Sequence, residues 1–398
     1  MGRMSTALLS QEMQEKRWKL AATGLYSASF AALGLTFSIL GPTLPSLAAQ
    51  TQSSLTDISV LFVARSLGSL VGSVGGGRMF DRFAGNRVVA AVLALMAVWT
   101  ALVPVIPQLW LLTAVLFLSG VVHGTLNVGG NALLVWVHRK GVAPYMNALH
   151  FFFGLGTFVT PILVAQMVRL ENGTVWAYGL VAATFLPVAA AALFVRSPTP
   201  EKSANAAGQG RVDRWLVAGF FLIFMGYAGA SAAHGGWIFS YVTHLKLTDE
   251  TGAAYLNSAF WGALTIGRLL SIPLAVRFSP KAMLRFDLLG SLLSLGLMVI
   301  FPHSLLALGV GSAGLGFFLA TIFPYNMSLA SRHIPITGQV TGWLSIGSSL
   351  GALILPWVVG QLFENVGPEM LLYLDFFNIL MTLGVFFWLT RRLERAAI

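Results

Sequence analysis

Polar and aromatic side chains recur at helical spacing inside long apolar stretches of the chain. His123, Asn127 and Asn131 stand four residues apart, a spacing that places them along one face of a helix. A second stretch has similar side chains at spacings of four and seven residues, namely Asn257, Trp261 and Arg268. Amides both donate to and accept from hydroxyl groups, and aromatic faces stack on the C–H surface of a sugar ring. The two faces therefore favour a neutral ligand with several hydroxyl groups.

Further polar residues in the apolar stretches complete the predicted substrate site. They are Asn147, His150, His234, Trp237, Tyr325 and Asn326. For each of these side chains, a hydrogen bond between helices is an equally good interpretation, because such bonds also join helices within a membrane.

Three ionisable residues are candidates for coupling to an ion. An imidazole titrates near neutral pH, which suits His123 and His150 to carrying a proton. Asp375 is the acid that lies clearly inside an apolar stretch, about 12 Å from its start by helical rise. The alternative that we expect for Asp375 is a structural pairing with an arginine or a helix end.

Motifs of soluble enzymes are absent from the sequence. There is no GxxxxGK[ST] segment to bind ATP and no HExxH segment to bind zinc. The chain has no cysteine, which excludes a disulfide framework, a thiolate nucleophile and a cysteine metal site. We therefore expect no catalytic residue, no metal, no cofactor and no enzyme activity.

The composition indicates which elements position these side chains. Of the 398 residues, 56% are hydrophobic and only 10% are charged, whereas a soluble domain has about 25% charged residues. The apolar residues occur in runs of about 20 or more, which is typical of membrane helices and not of a porin-type barrel. The sequence therefore predicts an all-α polytopic membrane protein.

Twelve segments are long and apolar enough to cross the ~30 Å hydrocarbon core of a bilayer as helices. They lie near residues 18–48, 55–80, 86–106, 109–137, 142–168, 174–196, 213–243, 249–276, 281–301, 303–331, 335–363 and 367–390. The polar start of the chain lacks the features of a cleaved signal peptide, so we expect the first span to be retained.

The basic residues predict how these spans are oriented. With the N-terminus in the cytoplasm, 20 of the 24 Lys and Arg residues fall in cytoplasmic segments, as the positive-inside rule requires. Arg65 and Arg268 lie within spans. The net charge of +10 thus reflects topology, and nucleic acid is not an expected partner. We predict a multi-pass protein of the inner (cytoplasmic) membrane with both termini in the cytoplasm.

A polar central segment divides the chain into two halves of six spans. It is rich in small and helix-breaking residues, which is typical of a flexible linker. The predicted organisation is a cytoplasmic N-terminal segment at 1–17, a six-helix bundle at 18–196, the linker at 197–213, a second six-helix bundle at 214–391 and a cytoplasmic tail at 392–398.

An internal repeat of 195 residues relates the two halves. A shift of that length aligns, among others, Gly34 with Gly229, Gly156 with Gly351, Pro161 with Pro356, and Asn131 with Asn326. Because six spans separate the copies, both have the same orientation and their symmetry axis lies along the membrane normal. Secondary transporters have this two-half architecture, with the substrate site between the halves near the midplane. We expect Asn131 and Asn326 to face each other there.

The segment GGGRMFDRFAGNRVV resembles the signature between the second and third spans of the major facilitator superfamily. Gly77, Asp81, Arg82, Gly85 and Arg87 fill that pattern, with one residue more than usual between Arg82 and Gly85. The resemblance extends over nearly the whole chain and implies the major facilitator fold of 12 transmembrane helices in two pseudo-symmetric six-helix bundles.

The resemblance also implies a gate made of Gly77, Asp81, Arg82 and Arg87. The carboxylate of Asp81 would meet the start of the eleventh span, near residues 334–337, and hold the two halves together while the transporter faces outward. Such a contact is physically reasonable because a carboxylate is stabilised by the free N–H groups at a helix N-terminus. The alternative is that these charges only set the topology.

Within the superfamily, several stretches resemble the branch of the fucose–proton symporter and the sodium-dependent glucose transporters. They are ARSLGSLVGSVGGGRMFDRF, NVGGNALL, MNALHFFFGLGTFVTPIL, GGWIFSYV and FWGALTIGRLLSIPLA. This implies a transporter that moves a small polar solute, a sugar or sugar-like compound, by alternating access, either coupled to H⁺ or Na⁺ or as an uncoupled facilitator. We separately expect a monomer. The coupled relatives have an acid where this chain has Asn127, which cannot release a proton, so the coupling stays open.

Three alternatives to a sugar carrier are consistent with the sequence. The many Phe and Trp residues and the few buried acids suit an exporter of amphipathic drugs or metabolites. Arg65 and Arg268 suit a carrier of organic anions. A membrane sensor or scaffold is disfavoured because no soluble output domain is evident.

Overall fold

The structure is a computed structural model that describes residues 2–199, 213–334 and 338–396. Within these ranges the regular structure is entirely helical. Most of the predicted linker, residues 200–212, lies outside them, as do residues 335–337 at the predicted start of the eleventh span.

The first half of the chain forms eight α-helices. They are α1 (Gly2–Ser38), α2 (Leu40–Gln50), α3 (Leu55–Ile58), α4 (Val60–Arg82), α5 (Gly85–Leu102), α6 (Leu109–His138), α7 (Ala143–Met167) and α8 (Gly173–Phe194). Short 3₁₀ turns follow α5 at Val103–Val105 and α6 at Arg139–Gly141.

The second half forms seven α-helices. They are α9 (Arg214–His244), α10 (Glu250–Arg277), α11 (Pro280–Ile300), α12 (Leu305–Leu319), α13 (Ile322–His333), α14 (Gly338–Phe363) and α15 (Met370–Ala396). Eleven helical segments of the described chain are long and apolar enough to cross a membrane. The remaining predicted span, 249–276, coincides with the 28-residue helix α10.

Three of the spans are broken helices, since α3 and α4 share the second span, and a proline explains the breaks in the first and tenth spans. A proline ring clashes with the carbonyl group four residues earlier. Pro42 is four residues after Ser38, where α1 ends, and Pro324 is four residues after Ala320, where α12 has just ended. The first span is therefore made of α1 and α2, and the tenth of α12 and α13.

Glycine pairs fix equivalent helix crossings in the two halves. Where α1 crosses α7, a Cβ atom added to Gly156 would lie 3.0 Å from the Cα atom of Gly34. Where α9 crosses α14, a Cβ atom added to Gly351 would lie 2.9 Å from the backbone nitrogen of Gly229. Both members of the second pair are 195 residues beyond those of the first. The repeat in the sequence thus corresponds to the same close crossing in each half.

A second close contact joins α4 to α6 through two glycine pairs with a spacing of four. A Cβ atom added to Gly68 would lie 2.0 Å from the carbonyl oxygen of Phe117, and one added to Gly124 would lie 2.0 Å from that of Ser69. Gly72 and Gly120 are equally restricted. Small residues permit this approach in a membrane, where the hydrophobic effect does not drive helices together.

The two halves meet through α2 with α9, α4 with α14, and α7 with α10. An even number of spans places both chain ends on one side of the membrane, here called the terminal side, and the opposite face is called the far side. Hydrogen bonds that cross between the halves include those of Gln166 and Arg169 in the far half and those of Ser66 and Ser258 near the membrane middle.

A group of such bonds surrounds Glu364, just beyond the far end of α14. Its carboxylate accepts from the backbone N–H groups of Leu55 at 3.1 Å and Thr56 at 3.0 Å, and from the Thr56 hydroxyl at 3.0 Å. Gln361 donates to the Thr56 carbonyl at 3.2 Å and bonds the Ser59 hydroxyl at 3.1 Å. The halves are therefore held together on the far side.

Candidate functional site

The ring of Phe37 is the centre of a cluster drawn from both halves. Its centroid lies 5.6 Å from that of Trp261, with the rings nearly perpendicular at 85°, and 6.0 Å from that of His123. The guanidinium carbon of Arg65 lies 4.8 Å from the same centroid, within cation–π range. Phe37, Arg65 and His123 come from the first half and Trp261 from the second, so the cluster spans the boundary between them.

The helix break after Ser38 explains how Arg65 is held. The last carbonyl groups of a helix lack partners within it and seek other donors. The carbonyl oxygen of Phe37, one residue before the end of α1, accepts from Nη1 of Arg65 at 2.8 Å. The guanidinium thereby joins α4 to the end of α1 beside the aromatic cluster.

Two polar atoms next to this cluster are buried without a hydrogen-bond partner in the described structure. They are Nε1 of Trp261 and Oδ1 of Asn257, one helical turn apart on α10. The amide nitrogen of Asn257 donates to the Gly235 carbonyl at 2.7 Å, which fixes the side chain and leaves its oxygen free. A buried polar atom without a partner costs about 1–3 kcal/mol, so these atoms are suited to bonding a solute.

Further predicted residues lie towards the terminal side of the cluster. Nη2 of Arg268 donates to the Tyr227 hydroxyl at 3.3 Å, and the His150 ring meets Phe30 edge-on at 5.8 Å. The buried Tyr325 donates to the Ser271 carbonyl at 3.2 Å. These polar groups extend from the aromatic cluster towards the terminal side.

The three asparagines predicted for the site in the first half are more accessible. Asn127 and Asn147 are exposed and Asn131 is half-buried. The amide nitrogen of Asn131 donates to the Asn127 carbonyl at 2.7 Å, a bond within one helix. The predicted polar face of the fourth span therefore exists on α6, from His123 to Asn131.

The expected convergence of Asn131 and Asn326 is wrong for this structure. Asn326 is fully buried, and its amide nitrogen donates to the Phe220 carbonyl on α9 at 3.2 Å. Pro324 breaks the tenth span just before Asn326, whereas the equivalent position in the fourth span is Gly129, inside the continuous helix α6. The side chains of Asn131 and Asn326 are therefore oriented differently, although the repeat aligns the two positions.

His234 and Trp237 lie buried inside the second half and do not form an accessible outer wall of the site. Nε1 of Trp237 donates to the Pro356 carbonyl at 2.9 Å, and its ring lies 6.0 Å from that of Phe62 in the first half. His234 approaches Asp375, with 3.3 Å between Nδ1 and Oδ2. The expected partner of Asp375, an arginine or a helix end, is thus wrong, because the partner is a histidine.

The predicted gate lies partly outside the described residues. Gly77 is half-buried, and Arg82 and Arg87 are exposed. The side chain of Asp81 and residues 335–337 are not among those described. The contact between Asp81 and the eleventh span therefore stays a prediction.

The sequence interpretation missed Phe37, although it is central to the cluster. The sequence does contain an indication of its position. Phe37 directly precedes Ser38, whose carbonyl group would clash with the ring of Pro42 four residues later. An aromatic residue at a proline-induced helix end is well placed to face a cavity, whereas one inside a regular span packs against lipid or neighbouring helices.

The arrangement of two bundles around a polar midplane cluster can be compared with known proteins. A family model described as Major Facilitator Superfamily matches residues 26–356. The chain belongs to this superfamily. Sodium-dependent glucose transporter 1A of Mus musculus is 31% identical over 84% of this chain and 88% of its own length. Sodium-dependent glucose transporter 1 of Homo sapiens is 31% identical over 84% of this chain and 72% of its own length.

More distant relatives agree on the fold of this transporter. Major facilitator superfamily domain-containing protein 4A of Mus musculus is 26% identical over 88% of both chains. The crystal structure of a mutant of the nucleoside transporter NupG aligns with a TM-score of 0.75 at 12% identity, covering 94% of this chain and 99% of that one. The protein is therefore a multi-pass membrane protein and a secondary transporter of this superfamily, not an enzyme.

Proposed function

We propose that this transporter carries a neutral sugar or a sugar-like solute, which binds beside Phe37 and Trp261 at the boundary between the two bundles. The observation that carries the proposal is the pair of buried, unpartnered atoms next to the aromatic cluster, Nε1 of Trp261 and Oδ1 of Asn257. One is a donor and the other an acceptor, and a sugar hydroxyl can serve both. The relatives named sodium-dependent glucose transporters support the same solute class.

The aromatic rings add contact with the apolar face of such a solute. Phe37 and Trp261 come from opposite bundles and meet edge-on, so a small separation of the bundles would open a space between two aromatic surfaces. The half-buried His123 and the accessible Asn127 and Asn131 extend a polar wall from that point. A solute leaving the cluster would thus meet hydrogen-bonding groups before it reached water.

The conformation supports access from the terminal side. The halves are closed on the far side by the bonds around Glu364 and by the close crossing of α2 and α9. We infer that the cavity opens towards the chain ends. Alternating access would then require the far-side contacts to separate and contacts on the terminal side to form.

The charge distribution supports an inward-facing assignment of this state. The positive-inside rule places both chain ends in the cytoplasm of a cell whose inner membrane holds the protein. In that orientation the far side is the outside. The proposed gate of Gly77, Asp81, Arg82 and Arg87 lies at the cytoplasmic end of α4 and would close when the transporter faces outward.

Counterflow in proteoliposomes tests the proposed substrate class. Vesicles loaded with unlabelled hexose should take up labelled hexose transiently, and a panel of neutral sugars should compete. Trp261→Phe keeps an aromatic ring of smaller size but removes the indole N–H group, so it should raise the KM by roughly tenfold, the effect of one lost hydrogen bond in a buried site. Trp110→Phe is the control because Trp110 is 72% exposed. Failure of the native protein to exchange any neutral sugar would contradict the proposal.

One observation favours organic anions as a second candidate class. Within the described residues, neither Arg65 nor Arg268 forms a salt bridge with a carboxylate, although both lie in spans. An uncompensated cation in a membrane protein interior favours an anionic ligand. Counterflow with labelled organic acids, compared between the native protein and Arg268→Gln, distinguishes this class, since only anion exchange should depend strongly on the guanidinium charge.

A further inference from the structure

Three polar side chains in the second bundle form a fully buried row that the proposed substrate site does not use. They are Asp375 on α15, His234 on α9 and Ser312 on α12, each with no exposed surface. Nδ1 of His234 lies 3.3 Å from Oδ2 of Asp375, and its Nε2 lies 2.9 Å from the Ser312 hydroxyl. The imidazole thus stands between an acid and a hydroxyl group.

The burial of this row favours a proton shared by the His234–Asp375 pair. Both carboxylate oxygens of Asp375 lack a hydrogen-bond donor within the described structure, so the imidazole is the nearby group that can compensate their charge. A buried carboxylate beside a neutral imidazole would be an uncompensated charge, which costs several kcal/mol. With one proton present, the pair is either a neutral acid beside a neutral imidazole or an ion pair, and its net charge is zero in both.

No other charged group of the described residues bonds to the pair. Arg268 on α10 is bonded to Tyr227, and Asp287 on α11 is bonded to the hydroxyl of Thr321. Helices α2, α12 and α14 contain no ionisable residue. The other ionisable side chains on the helices that pack around the pair lie towards helix ends or bond elsewhere: Arg214, Tyr241, His244, Glu250, Tyr255, Arg277, Lys281, Arg285, Tyr325, Arg332, His333, Tyr373, Arg391, Arg392, Glu394 and Arg395.

The pair is connected directly to the substrate site and to the far-side closure through α9. The next residue, Gly235, accepts the amide bond from Asn257, and a Cβ atom added there would lie 2.3 Å from the Trp261 indole. The residue after that, Gly236, packs against Gly41 of the first bundle. A shift of α9 at His234 would therefore move Gly235, which contacts the substrate site, and Gly236, which contacts the first bundle on the far side.

We propose that the His234–Asp375 pair binds and releases the proton that is coupled to solute movement, which makes this protein a proton symporter. The proposal rests on the sugar-transport function proposed above. In the binding step a water-borne proton forms an N–H or O–H bond on the pair. In the release step that bond breaks, the proton returns to water on the other side, and a neutral imidazole and a carboxylate remain.

The donor set favours a proton over Na⁺. Hard cations are bound by about six oxygen ligands, whereas this row offers one carboxylate and one hydroxyl with an imidazole between them. Within the described residues there is no group of three His, Asp or Glu side chains that could hold a metal ion. An imidazole next to an acid is instead a common arrangement for binding and passing a proton.

The experiment compares two modes of hexose transport in proteoliposomes. Counterflow without any ion gradient reports binding and exchange, and uptake driven by an alkaline vesicle interior reports coupling. In the native protein the pH gradient should raise the steady-state accumulation by on the order of tenfold. Asp375→Asn and His234→Gln should each abolish this accumulation and keep counterflow. Asp287→Asn is the matched control, since it alters another buried acid of the same bundle and should keep the accumulation.

The outcomes separate the coupling proposal from the transport proposal. If the native protein shows no hexose counterflow, the proposed function fails. If counterflow is present but a Na⁺ gradient drives accumulation and a pH gradient does not, the proton assignment is overturned. Equal pH-driven accumulation by the native protein and by folded Asp375→Asn or His234→Gln would also overturn it, and having two variants keeps the test valid if one does not fold.

Discussion

Gly41 and Gly236, which are equivalent residues of the 195-residue repeat, pack against each other where α2 crosses α9. A Cβ atom added to Gly41 would lie 3.1 Å from the Cα atom of Gly236 and 2.4 Å from the carbonyl oxygen of Gly235. In a two-fold arrangement, a residue meets its own equivalent only near the symmetry axis. This crossing therefore marks the pseudo-two-fold axis on the far side of the membrane and joins the two bundles there.

A bulky residue at Gly41 should hold the far side open. In Gly41→Val the side chain would overlap the Gly235 carbonyl, so the closed crossing cannot form. The native chain has no cysteine, and a single Ser59→Cys reporter would lie at the far-side seal, where Ser59 is fully buried. Labelling by a membrane-impermeant maleimide from the far side should rise about tenfold, which corresponds to a shift of roughly 1.4 kcal/mol.

The control for that experiment is Gly24→Val in the same reporter background. Gly24 also lies in the first span, but a Cβ atom added there meets nothing within 4 Å. Its labelling should match that of the unsubstituted reporter. Equal labelling of the Gly41 and Gly24 variants would show that the crossing does not govern far-side access.

Removing the negative charge of Glu364 should weaken the same closure by a different route. Its carboxylate accepts two backbone N–H groups and one hydroxyl at the start of α3, and charge-assisted bonds are stronger than neutral ones. Glu364→Gln keeps the shape and loses the charge. Because Glu364 is exposed, the increase in far-side labelling should be smaller than for Gly41→Val. This increase should become smaller still at high salt, where ions already screen the Glu364 charge of the native protein.

Maleimide labelling of Ser59→Cys again measures the effect of Glu364→Gln. Glu171→Gln is the matched control, since Glu171 is an exposed acid in the far-side loop after α7. Indistinguishable labelling of the two variants at low ionic strength would rule out a role of the Glu364 cluster in closure.

Phe37 should determine affinity for the solute more than the maximal rate. Phe37→Ala removes the ring that contacts Trp261, His123 and Arg65, so the KM for counterflow should rise by about tenfold or more, whereas Phe37→Tyr should stay close to native. Phe194→Ala is the control because Phe194 is 89% exposed. A native KM in a folded Phe37→Ala variant would place the solute elsewhere.

The spans and the repeat could be predicted because they depend on local composition and on spacing. Gly34 and Gly229 were aligned by the repeat, and each lies at an equivalent helix crossing. The pairing of His234 with Asp375 cannot be predicted from the sequence, although each residue is by itself a candidate for a functional role. It depends on how α9 packs on α15, and no local pattern in the sequence specifies that contact.

The orientation of Asn326 shows a second limit of the sequence. A repeat aligns backbone positions, but a side chain points where its local helix directs it. Pro324 interrupts the tenth span and has no counterpart in the fourth, so Asn326 bonds to α9 while Asn131 stays accessible. The proline was visible in the sequence, and its effect follows from the clash with the carbonyl group four residues earlier.

The equivalent glycine crossings should be equally sensitive to a single added methyl group. In Gly156→Ala the new Cβ atom would lie 2.1 Å from the Ala31 carbonyl oxygen, and in Gly351→Ala it would lie 1.9 Å from that of Met225. Backbone atoms cannot move aside cheaply, so each variant should lose about 1–3 kcal/mol of stability. Thermal unfolding of the purified variants in detergent should show similar decreases in Tm. Gly179→Ala and Gly384→Ala, where an added Cβ atom meets nothing within 4 Å, should keep the native Tm. A decrease in only one of the two crossing variants would mean that the bundles do not share this packing.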